Sequence, residues 1–310
     1  MSAYDVLIIG GGPGGITTGI YAGRAQLKVA MLERLMPGGQ VASTEWVENY
    51  PGFEEGIGGV DLMQRMEKQA RKFGLEILSG AVEDVQLDSS PKKVVSNGIE
   101  YFAKTVVIAT GTDPKLLNVP GEKEFKGRGV SYCATCDGPF FKDKDVVVVG
   151  GGNSGIQESL YLSRFVRSIR LVEFMDHLNA EKILEKRARE DSKFTFYLNH
   201  EVVSINGEQT VSSVTVKDRA TREEEVLSAD GVFIWVGLIP NTDFLEGKVE
   251  LNRWGYVVTN KEMETSVPGV FAVGDVRDKS VRQITTAVGD GTIAAQSALK
   301  RIEEFEENGG

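Results

Sequence analysis

Two stretches decide the fold: residues 5–15 read DVLIIGGGPGG, and residues 145–155 read DVVVVGGGNSG. Each is an apolar run, typical of a buried strand, that leads directly into G-x-G-x-x-G. A helix-like stretch and a second apolar strand follow in each copy, and that strand ends in an acid, Glu33 or Glu173. Because the acid lies at the same distance from its glycines in both copies, the pattern predicts two dinucleotide-binding units.

The glycines and the acid have separate physical tasks. The first glycine permits a tight turn, the second lets a pyrophosphate approach the backbone, and the third lets helix and strand pack closely. The helix N-terminus offers free N–H groups to phosphate, and the acid accepts hydrogen bonds from a ribose. A copy could also serve packing alone and bind nothing. The candidates are Gly10, Gly12, Gly15 and Glu33 in the first copy, and Gly150, Gly152, Asn153, Ser154, Gly155 and Glu173 in the second.

The order of these signals predicts an α/β protein with two Rossmann-like, three-layer domains, the second inserted into the first. A further strand near residues 269–273 is followed by Gly274 and Asp275, where an acid past a strand end can bond ligand hydroxyls. Pro114 and Pro240 mark plausible crossings between the domains. We therefore expect a first domain of residues 1–112 and 241–310, and an inserted domain of residues 113–240.

Composition narrows the function. The 310 residues carry a formal net charge of −10 without a basic stripe, so a nucleic-acid partner is not expected. No apolar stretch reaches the ~20 residues that span a bilayer, and the N-terminus lacks a basic start, so we expect a cytoplasmic protein. In that reducing compartment a stable structural disulfide is rare.

The sequence contains two cysteines, Cys133 and Cys136, in the stretch SYCATCDGPFF at residues 131–141. A structural zinc site needs about four ligands, and the two histidines, His177 and His200, do not have zinc-finger spacing, so no metal is expected. Two inert cysteines would leave the C-x-x-C spacing unexplained. A redox dithiol explains it, and the adjacent Asp137 could donate or accept the proton.

A dithiol beside a dinucleotide site needs a carrier that exchanges electrons with both hydride and thiolate. Flavin does this, so two dinucleotide folds and one dithiol predict FAD in one fold and a reductant at the other.

The sequence resembles the low-molecular-weight thioredoxin reductases over essentially its whole length. The stretch C-A-T-C-D-G is highly specific to that family. The other matching stretches are GGGPGG (residues 10–15), PGGQ (37–40), VENYPGF (47–53), ATGTDPKLLNVPGE (109–122), VVGGGNSG (148–155), VPGVFAVGDVRD (267–278) and RQITTAVGDG (282–291).

The resemblance implies a flavoenzyme that reduces thioredoxin or a similar small protein, and a homodimer. It assigns Cys136 to the flavin, Cys133 to the attack on the protein substrate, and Asp137 to proton transfer. It also implies that the inserted domain swings about its two connections. The residues that it assigns to FAD are Gly10, Gly12, Gly15, Glu33, Gln40, Asn49, Gly274, Asp275, Arg282, Gln283 and Ile284.

The chain departs from the family after its second acid-bearing strand. The family pattern there is H-R-R-x-x-x-R-A, whose arginines bind the 2′-phosphate of NADPH, whereas residues 173–180 read EFMDHLNA. Glu173 replaces the histidine, and Phe174, Met175 and Asn179 replace the arginines. Tight use of NADPH is therefore not expected. An acid at this place suits NADH, with weak NADPH use as a variant, and reduced ferredoxin with a non-functional nicotinamide site is the alternative.

Two other functions remain open from the sequence. A flavin oxidase would not need the dithiol. A flavin-bearing redox sensor would use the disulfide to set a binding surface rather than to turn over substrate.

Overall fold

The computed structural model describes residues 3–44 and 46–307, with residues 3, 135 and 136 described by their backbone alone. Within these ranges the helices are α1 (Pro13–Arg24), α2 (Gly59–Lys72), α3 (Ala134–Asp137), α4 (Asn153–Leu162), α5 (Lys182–Glu190) and α6 (Ile284–Glu307). Short 3₁₀ helices span Gly39–Ser43, Gly138–Phe141, Asp243–Leu245 and Gly274–Val276. The strands are β1 (Ala3–Ile9), β2 (Val29–Glu33), β3 (Trp46–Val47), β4 (Ile57–Gly58), β5 (Glu76–Ser79), β6 (Val82–Gln86), β7 (Lys92–Ser96), β8 (Ile99–Ile108), β9 (Thr112–Pro114), β10 (Val130–Ser131), β11 (Asp145–Val149), β12 (Ser168–Glu173), β13 (Phe194–Leu198), β14 (His200–Gly207), β15 (Val211–Asp218), β16 (Glu224–Ser228), β17 (Gly231–Ile234), β18 (Leu238–Pro240) and β19 (Val270–Ala272).

The chain divides into two compact units, and the first contains residues 1–113 and 239–310. Its main sheet has the strand order β5-β2-β1-β8-β7-β6, and β19 also pairs with β8. The pairs that involve β1, β2, β5 and β19 are parallel, whereas β6, β7 and the start of β8 are antiparallel. The run VLII in β1 is fully buried because both faces of the sheet are covered.

Each face of this sheet packs on its own hydrophobic cluster. Val6 and Ile8 join a cluster with the apolar sides of α1, α2 and α6. Leu7 and Ile9 point to the opposite face, as the two-residue period of a strand requires, and join a second cluster. The strand β1, which leads into the first glycine motif, is therefore a central strand of the first unit.

The second unit contains residues 114–238. Its parallel sheet has the order β10-β17-β11-β12-β13, and a separate antiparallel sheet has the order β14-β15-β16. The run VVVV in β11 is buried on both faces, and α4 follows it in the same way that α1 follows β1. The predicted α/β class is confirmed in both units.

The two crossings of the chain between the units are paired strands, β9 and β18. The boundaries of the two units fall between Asp113 and Pro114 and between Leu238 and Ile239. Which cofactor each unit binds stays a prediction. Among the described helices, none combines the length and the apolar character that a bilayer crossing requires.

Candidate active site

The first glycine loop, residues 10–15, connects β1 to α1. Gly10 has a φ of 104°, and a Cβ there would lie 2.4 Å from the carbonyl oxygen of Ala109. A Cβ at Gly15 would lie 2.1 Å from the carbonyl oxygen of Gly10, so both positions require glycine. Gly12 differs, because its φ is −72° and a Cβ would meet no atom within 4 Å. Open space therefore borders the N-terminus of α1, which no side chain caps.

The carboxylate of Glu33 is fixed at the end of β2 by two backbone donors. Its Oε2 accepts the N–H of Gly11 at 2.7 Å, and its Oε1 accepts the N–H of Leu35 at 3.0 Å. Each carboxylate oxygen has further lone pairs. Glu33 can therefore accept ribose hydroxyls while the glycine loop keeps it in place.

A second part of the first unit, residues 274–283, follows β19. Among the described residues Asp275 Oδ1 is buried without a hydrogen-bond partner, and Lys279 Nζ lies 4.0 Å away. Burial raises the pKa of Asp275, against the opposing charges of Lys279 and Arg282. An unpaired buried acceptor is costly, so this atom is a candidate ligand contact.

Asp290 on α6 organises the same segment, although the sequence analysis did not select it. It is 8% exposed, and it accepts the N–H of Gly274 at 3.0 Å. Arg277 Nη1 lies 2.8 Å and Lys279 Nζ 3.0 Å from its two oxygens. An aspartate at a core position of a helix requires partners, but the sequence does not indicate which residues supply them.

The remaining residues that the resemblance assigns to FAD have different partners in the structure. Asn49 Nδ2 donates to Gln283 Oε1 at 3.1 Å, so these two are brought together. Gln40 Nε2 instead donates to the carbonyl and hydroxyl oxygens of Thr112, at 2.7 and 2.8 Å. Arg282 lies over the ring of Tyr256 at 4.1 Å and donates to backbone carbonyls of its own segment. Ile284 is the first residue of α6.

The second glycine loop, residues 150–155, repeats the geometry of the first in the second unit. A Cβ at Gly150 or at Gly155 would lie 2.1 Å from a carbonyl oxygen, whereas a Cβ at Gly152 would meet only the Asn179 oxygen at 3.9 Å. Asn153 and Ser154 lie in the first turn of α4, and Asn153 Oδ1 accepts the N–H of Glu181 at 2.6 Å. The N-terminus of α4 is again uncapped by a side chain.

Residues 173–175, here termed the acid turn, begin at Glu173, the last residue of β12. Glu173 accepts the N–H of Gly151 at Oε2 and that of Met175 at Oε1, the latter at 2.9 Å. Phe174 and Met175 are 51% and 45% exposed, so neither is packed into a core. The acid turn therefore has the arrangement that Glu33 has in the first unit.

Arg219, directly after β15, clamps this acid turn from a distant part of the sequence. Its guanidinium carbon lies 3.5 Å from the centre of the Phe174 ring, and its Nη1 donates to the Phe174 carbonyl at 2.9 Å. The N–H of Asn199 donates to the Met175 carbonyl at 2.8 Å. No motif in the sequence indicates this arginine, because the turn between β15 and β16 alone brings it here.

The dithiol segment, residues 133–136, lies between β10 and β11. Cys133 is disulfide-bonded, and its carbonyl oxygen accepts the N–H of Asp137 at 3.2 Å across α3. The side chain of Cys136 lies outside the described part of the structure. Asp137 is half-buried. Among the described residues, no group of three or more histidine, cysteine or acidic side chains is arranged to hold a metal ion.

Comparison with known proteins gives consistent matches over the full chain. A family model described as "Pyridine nucleotide-disulphide oxidoreductase" matches residues 4–291. The thioredoxin reductase of Bacillus subtilis (strain 168) is 49% identical over 306 residues, which cover 98% of this chain and 96% of that protein. The crystal structure of Lactococcus lactis thioredoxin reductase has a TM-score of 0.95 and 42% identity, covering 97% of this chain and 99% of that one.

The crystal structure of T. acidophilum thioredoxin reductase has a TM-score of 0.92 and 38% identity, with the same coverage of 97% and 99%. These likenesses confirm the predicted pair of Rossmann-like α/β domains. They also confirm the resemblance to the low-molecular-weight thioredoxin reductases.

Proposed function

Because the chain belongs to the thioredoxin reductases of the pyridine nucleotide-disulphide oxidoreductase family, we propose that it passes two electrons from NADH through FAD and its dithiol to thioredoxin. It is an oxidoreductase that acts on a sulfur group, and membership implies FAD and a nicotinamide donor. The observation that carries the proposal is the disulfide at Cys133, which lies in a unit that also has a dinucleotide-type glycine loop.

The first unit fits FAD. Gly12 borders open space at an uncapped helix N-terminus, which suits a pyrophosphate, and the fixed carboxylate of Glu33 suits a ribose. The buried Oδ1 of Asp275 accepts no hydrogen bond from the residues that the structure describes, and a hydroxyl of the ligand would supply one. The other residues proposed for the cofactor are Gly10, Gly15, Gln40, Asn49, Gly274, Arg282, Gln283 and Ile284.

FAD, when bound, supplies the exchange of an electron pair between a nicotinamide and a disulfide. Cys136 is proposed as the sulfur that faces FAD, and Asp137 as the group that holds the proton. Cys133 then attacks the thioredoxin disulfide as a thiolate: a mixed disulfide forms and one thioredoxin sulfur leaves. Closure of the enzyme disulfide releases the second sulfur, so thioredoxin gains two electrons and two protons.

The proposed electron donor is inferred from the residues of the acid turn. The carboxylate of Glu173 can accept hydrogen bonds from an unphosphorylated 2′-hydroxyl, but it would repel a 2′-phosphate. The guanidinium of Arg219, which lies at this turn, is stacked on Phe174. Since hydrogen bonds to charged groups are worth about 1.5–3 kcal/mol each, the loss of two would weaken NADPH by very roughly 10²–10⁴-fold. The proposed donor is therefore NADH.

Anaerobic bleaching of the bound flavin by NADH, NADPH and reduced ferredoxin, measured side by side, tests this donor. We expect rapid bleaching by NADH and slow bleaching by NADPH. Rapid bleaching at micromolar NADPH would contradict the interpretation of the acid turn. Bleaching by ferredoxin alone would show that the second glycine loop serves packing rather than binding.

The triple variant E173H/F174R/M175R sharpens the same test. It returns a histidine and two arginines to the acid turn, so NADPH should gain very roughly 10²-fold or more relative to NADH. The matched control is F174A, which removes the platform of Arg219 without adding a charge. It should leave the preference for NADH in place.

The substitution Cys133→Ser tests the dithiol. It should abolish thioredoxin reduction and leave the yellow FAD complex intact, because the cysteine lies in the other unit from the proposed FAD site. Sustained turnover by this variant would remove the dithiol from the mechanism. Release of one equivalent of thiol by the wild type, without turnover, would indicate a redox sensor, and oxygen uptake without thiols would indicate an oxidase. A cytoplasmic homodimer is proposed on the family resemblance alone.

A further inference from the structure

Glu122 is a buried carboxylate that the proposed chemistry does not use. It is 0% exposed, and it accepts three hydrogen bonds. The N–H of Leu117 and the hydroxyl of Tyr132 donate to Oε1, at 2.9 and 2.7 Å, and the N–H of Asn118 donates to Oε2 at 2.6 Å. Burial of a carboxylate costs free energy unless its oxygens are hydrogen-bonded in this way. The presence of Glu122 at a buried position therefore calls for a structural or functional explanation.

Tyr132 connects this carboxylate to the dithiol segment, because it directly precedes Cys133 in the chain. Burial, and then the hydrogen bond and charge of Glu122, raise the pKa of Tyr132 far above its usual range. The phenol therefore stays protonated and remains a donor. The Tyr132 carbonyl accepts the indole N–H of Trp235 at 3.2 Å. Tyr132 is thus held at both its side chain and its backbone.

The backbone of Cys133 is held as well. Its N–H donates to Ser131 Oγ at 3.1 Å, and Ser131 is itself buried at the end of β10. The chain that enters the dithiol segment is therefore fixed at three consecutive residues by contacts within the second unit.

We propose that Glu122, acting through the hydroxyl of Tyr132, is a positioning residue that holds Cys133 where its disulfide can close. The proposal rests on the proposed function, since closure of the enzyme disulfide is the step that releases reduced thioredoxin. A small displacement of a reacting sulfur lowers the effective concentration of the two sulfurs strongly. Loss of the Tyr132 hydroxyl contact should therefore slow turnover and make the disulfide easier to reduce.

Two conservative variants of the full-length holoenzyme separate positioning from simple stability. Tyr132→Phe removes the hydroxyl contact and leaves both backbone donors of Glu122 satisfied. Glu122→Gln keeps an Oε1 that can accept from Tyr132 and Leu117, but it places an amide N–H₂ against the N–H of Asn118. We thus expect Y132F to lose more activity and E122Q to lose more stability.

In thioredoxin turnover, Y132F should lower kcat about tenfold with KM within about twofold, whereas E122Q should retain most of its kcat. Thermal melting should show the opposite order, with E122Q the less stable variant. The flavin spectrum and the bleaching of flavin by NADH should be unchanged in both. Normal kcat in Y132F, or a kcat that follows the melting temperature in both variants, would overturn the proposal and leave Glu122 as a structural group.

A measurement without thioredoxin separates this proposal from the proposed function. The protein is equilibrated with mixtures of reduced and oxidised dithiothreitol, which supplies two electrons and becomes a cyclic disulfide, and free Cys133 is counted by alkylation. Y132F should shift the equilibrium constant about tenfold towards the reduced protein, a change of about 30 mV. An unshifted constant would overturn the positioning role even if thioredoxin is the substrate. A wild type that fails to reduce thioredoxin would overturn only the proposed function.

Discussion

The two glycine loops share one geometry and differ in what surrounds their acid. In each loop, the carboxylate accepts the N–H of the second residue of its glycine triplet, Gly11 or Gly151, at one oxygen. The other oxygen accepts the N–H of the residue two positions after the acid, Leu35 or Met175. The carbonyl of the same glycine accepts an N–H from a later residue, Gly38 in the first unit and Asn179 in the second.

The surroundings of the two acids are different. The first unit adds a segment after β19 in which Asp275 Oδ1 is buried and accepts no hydrogen bond from a described residue. In the second unit, Arg219 clamps the acid turn through the ring and carbonyl of Phe174. The comparison supports the proposal that the loop framework suits a dinucleotide in general, whereas the surrounding residues, the segment after β19 in one unit and the acid turn in the other, select which dinucleotide binds.

The largest expected effect comes from the matched substitutions Gly12→Ala and Gly152→Ala. Both glycines have negative φ values and border space in which a Cβ meets at most a distant carbonyl oxygen, so both variants should fold. If phosphate approaches these positions, the methyl group blocks it. We expect G12A to be purified without FAD, and G152A to stay yellow but lose more than about 100-fold in kcat/KM for NADH.

Titration of each purified variant with FAD, and stopped-flow bleaching by NADH, provide the measurements. Melting temperatures within a few degrees of the wild type supplemented with FAD would exclude misfolding. A G152A variant with full NADH activity would show that the second glycine loop does not bind the donor, and it would remove the functional half of the comparison.

The glycine loops were predictable from the sequence because their geometry is local. Gly10, Gly15, Gly150 and Gly155 all have carbonyl oxygens where a Cβ would stand, and the spacing of the motif states this requirement directly. The parallel sheets were predictable for a related reason, since strands that are buried on both faces read as continuous apolar runs.

The contacts that give each loop its identity were not predictable, because their partners lie far apart in sequence. Arg219 reaches Phe174 across the second unit, and Asp290 reaches Arg277 and Lys279 from a helix. Glu122 was included in a family motif, but its bond to Tyr132 follows only from the fold. No periodicity or spacing in the chain encodes such pairs, since tertiary packing alone brings them together.

A smaller effect is expected for Asp275→Asn, which replaces the buried carboxylate of the segment after β19 with a neutral amide. Loss of one charge-assisted hydrogen bond should weaken FAD about 10–100-fold. Without FAD the variant should be more stable than the wild type at pH 7. The pKa of Asp275 is raised in the folded protein, so its contribution to stability is complete below its ordinary pKa and is lost as the pH rises through the raised value.

Denaturant unfolding of the flavin-free proteins between pH 3.5 and 7 measures this effect, with Asp278→Asn as an exposed control in the same segment. The difference in the free energy of unfolding between D275N and wild type should grow with pH. A difference that is independent of pH would mean that the carboxylate has a partner and is not held ready for a ligand.

The smallest expected effect compares the acids that precede the apolar runs of the two central strands, Asp5 in β1 and Asp145 in β11. Hydrogen bonds from Arg167 and Ser168 lower the pKa of Asp145 to about 2, with Arg167 Nε at 2.9 Å. Burial would raise the pKa of Asp5, but hydrogen bonds from Lys104 and from the N–H of Lys28 lower it overall. Both acids should therefore stabilise their units at neutral pH, and neither contribution should survive full protonation.

For Asp145 the contribution is present above its ordinary pKa and is lost as the pH falls towards about 2. Because Arg167 is largely exposed, D145N should cost under about 1 kcal/mol at pH 7. Acid unfolding followed by circular dichroism should show D145N converging with the wild type between about pH 4 and pH 2, and D5N converging at a higher pH. If D5N and D145N lost their difference from wild type at the same pH, the two acids would have equivalent surroundings. The divergence of the two units would then be confined to the residues around the glycine loops.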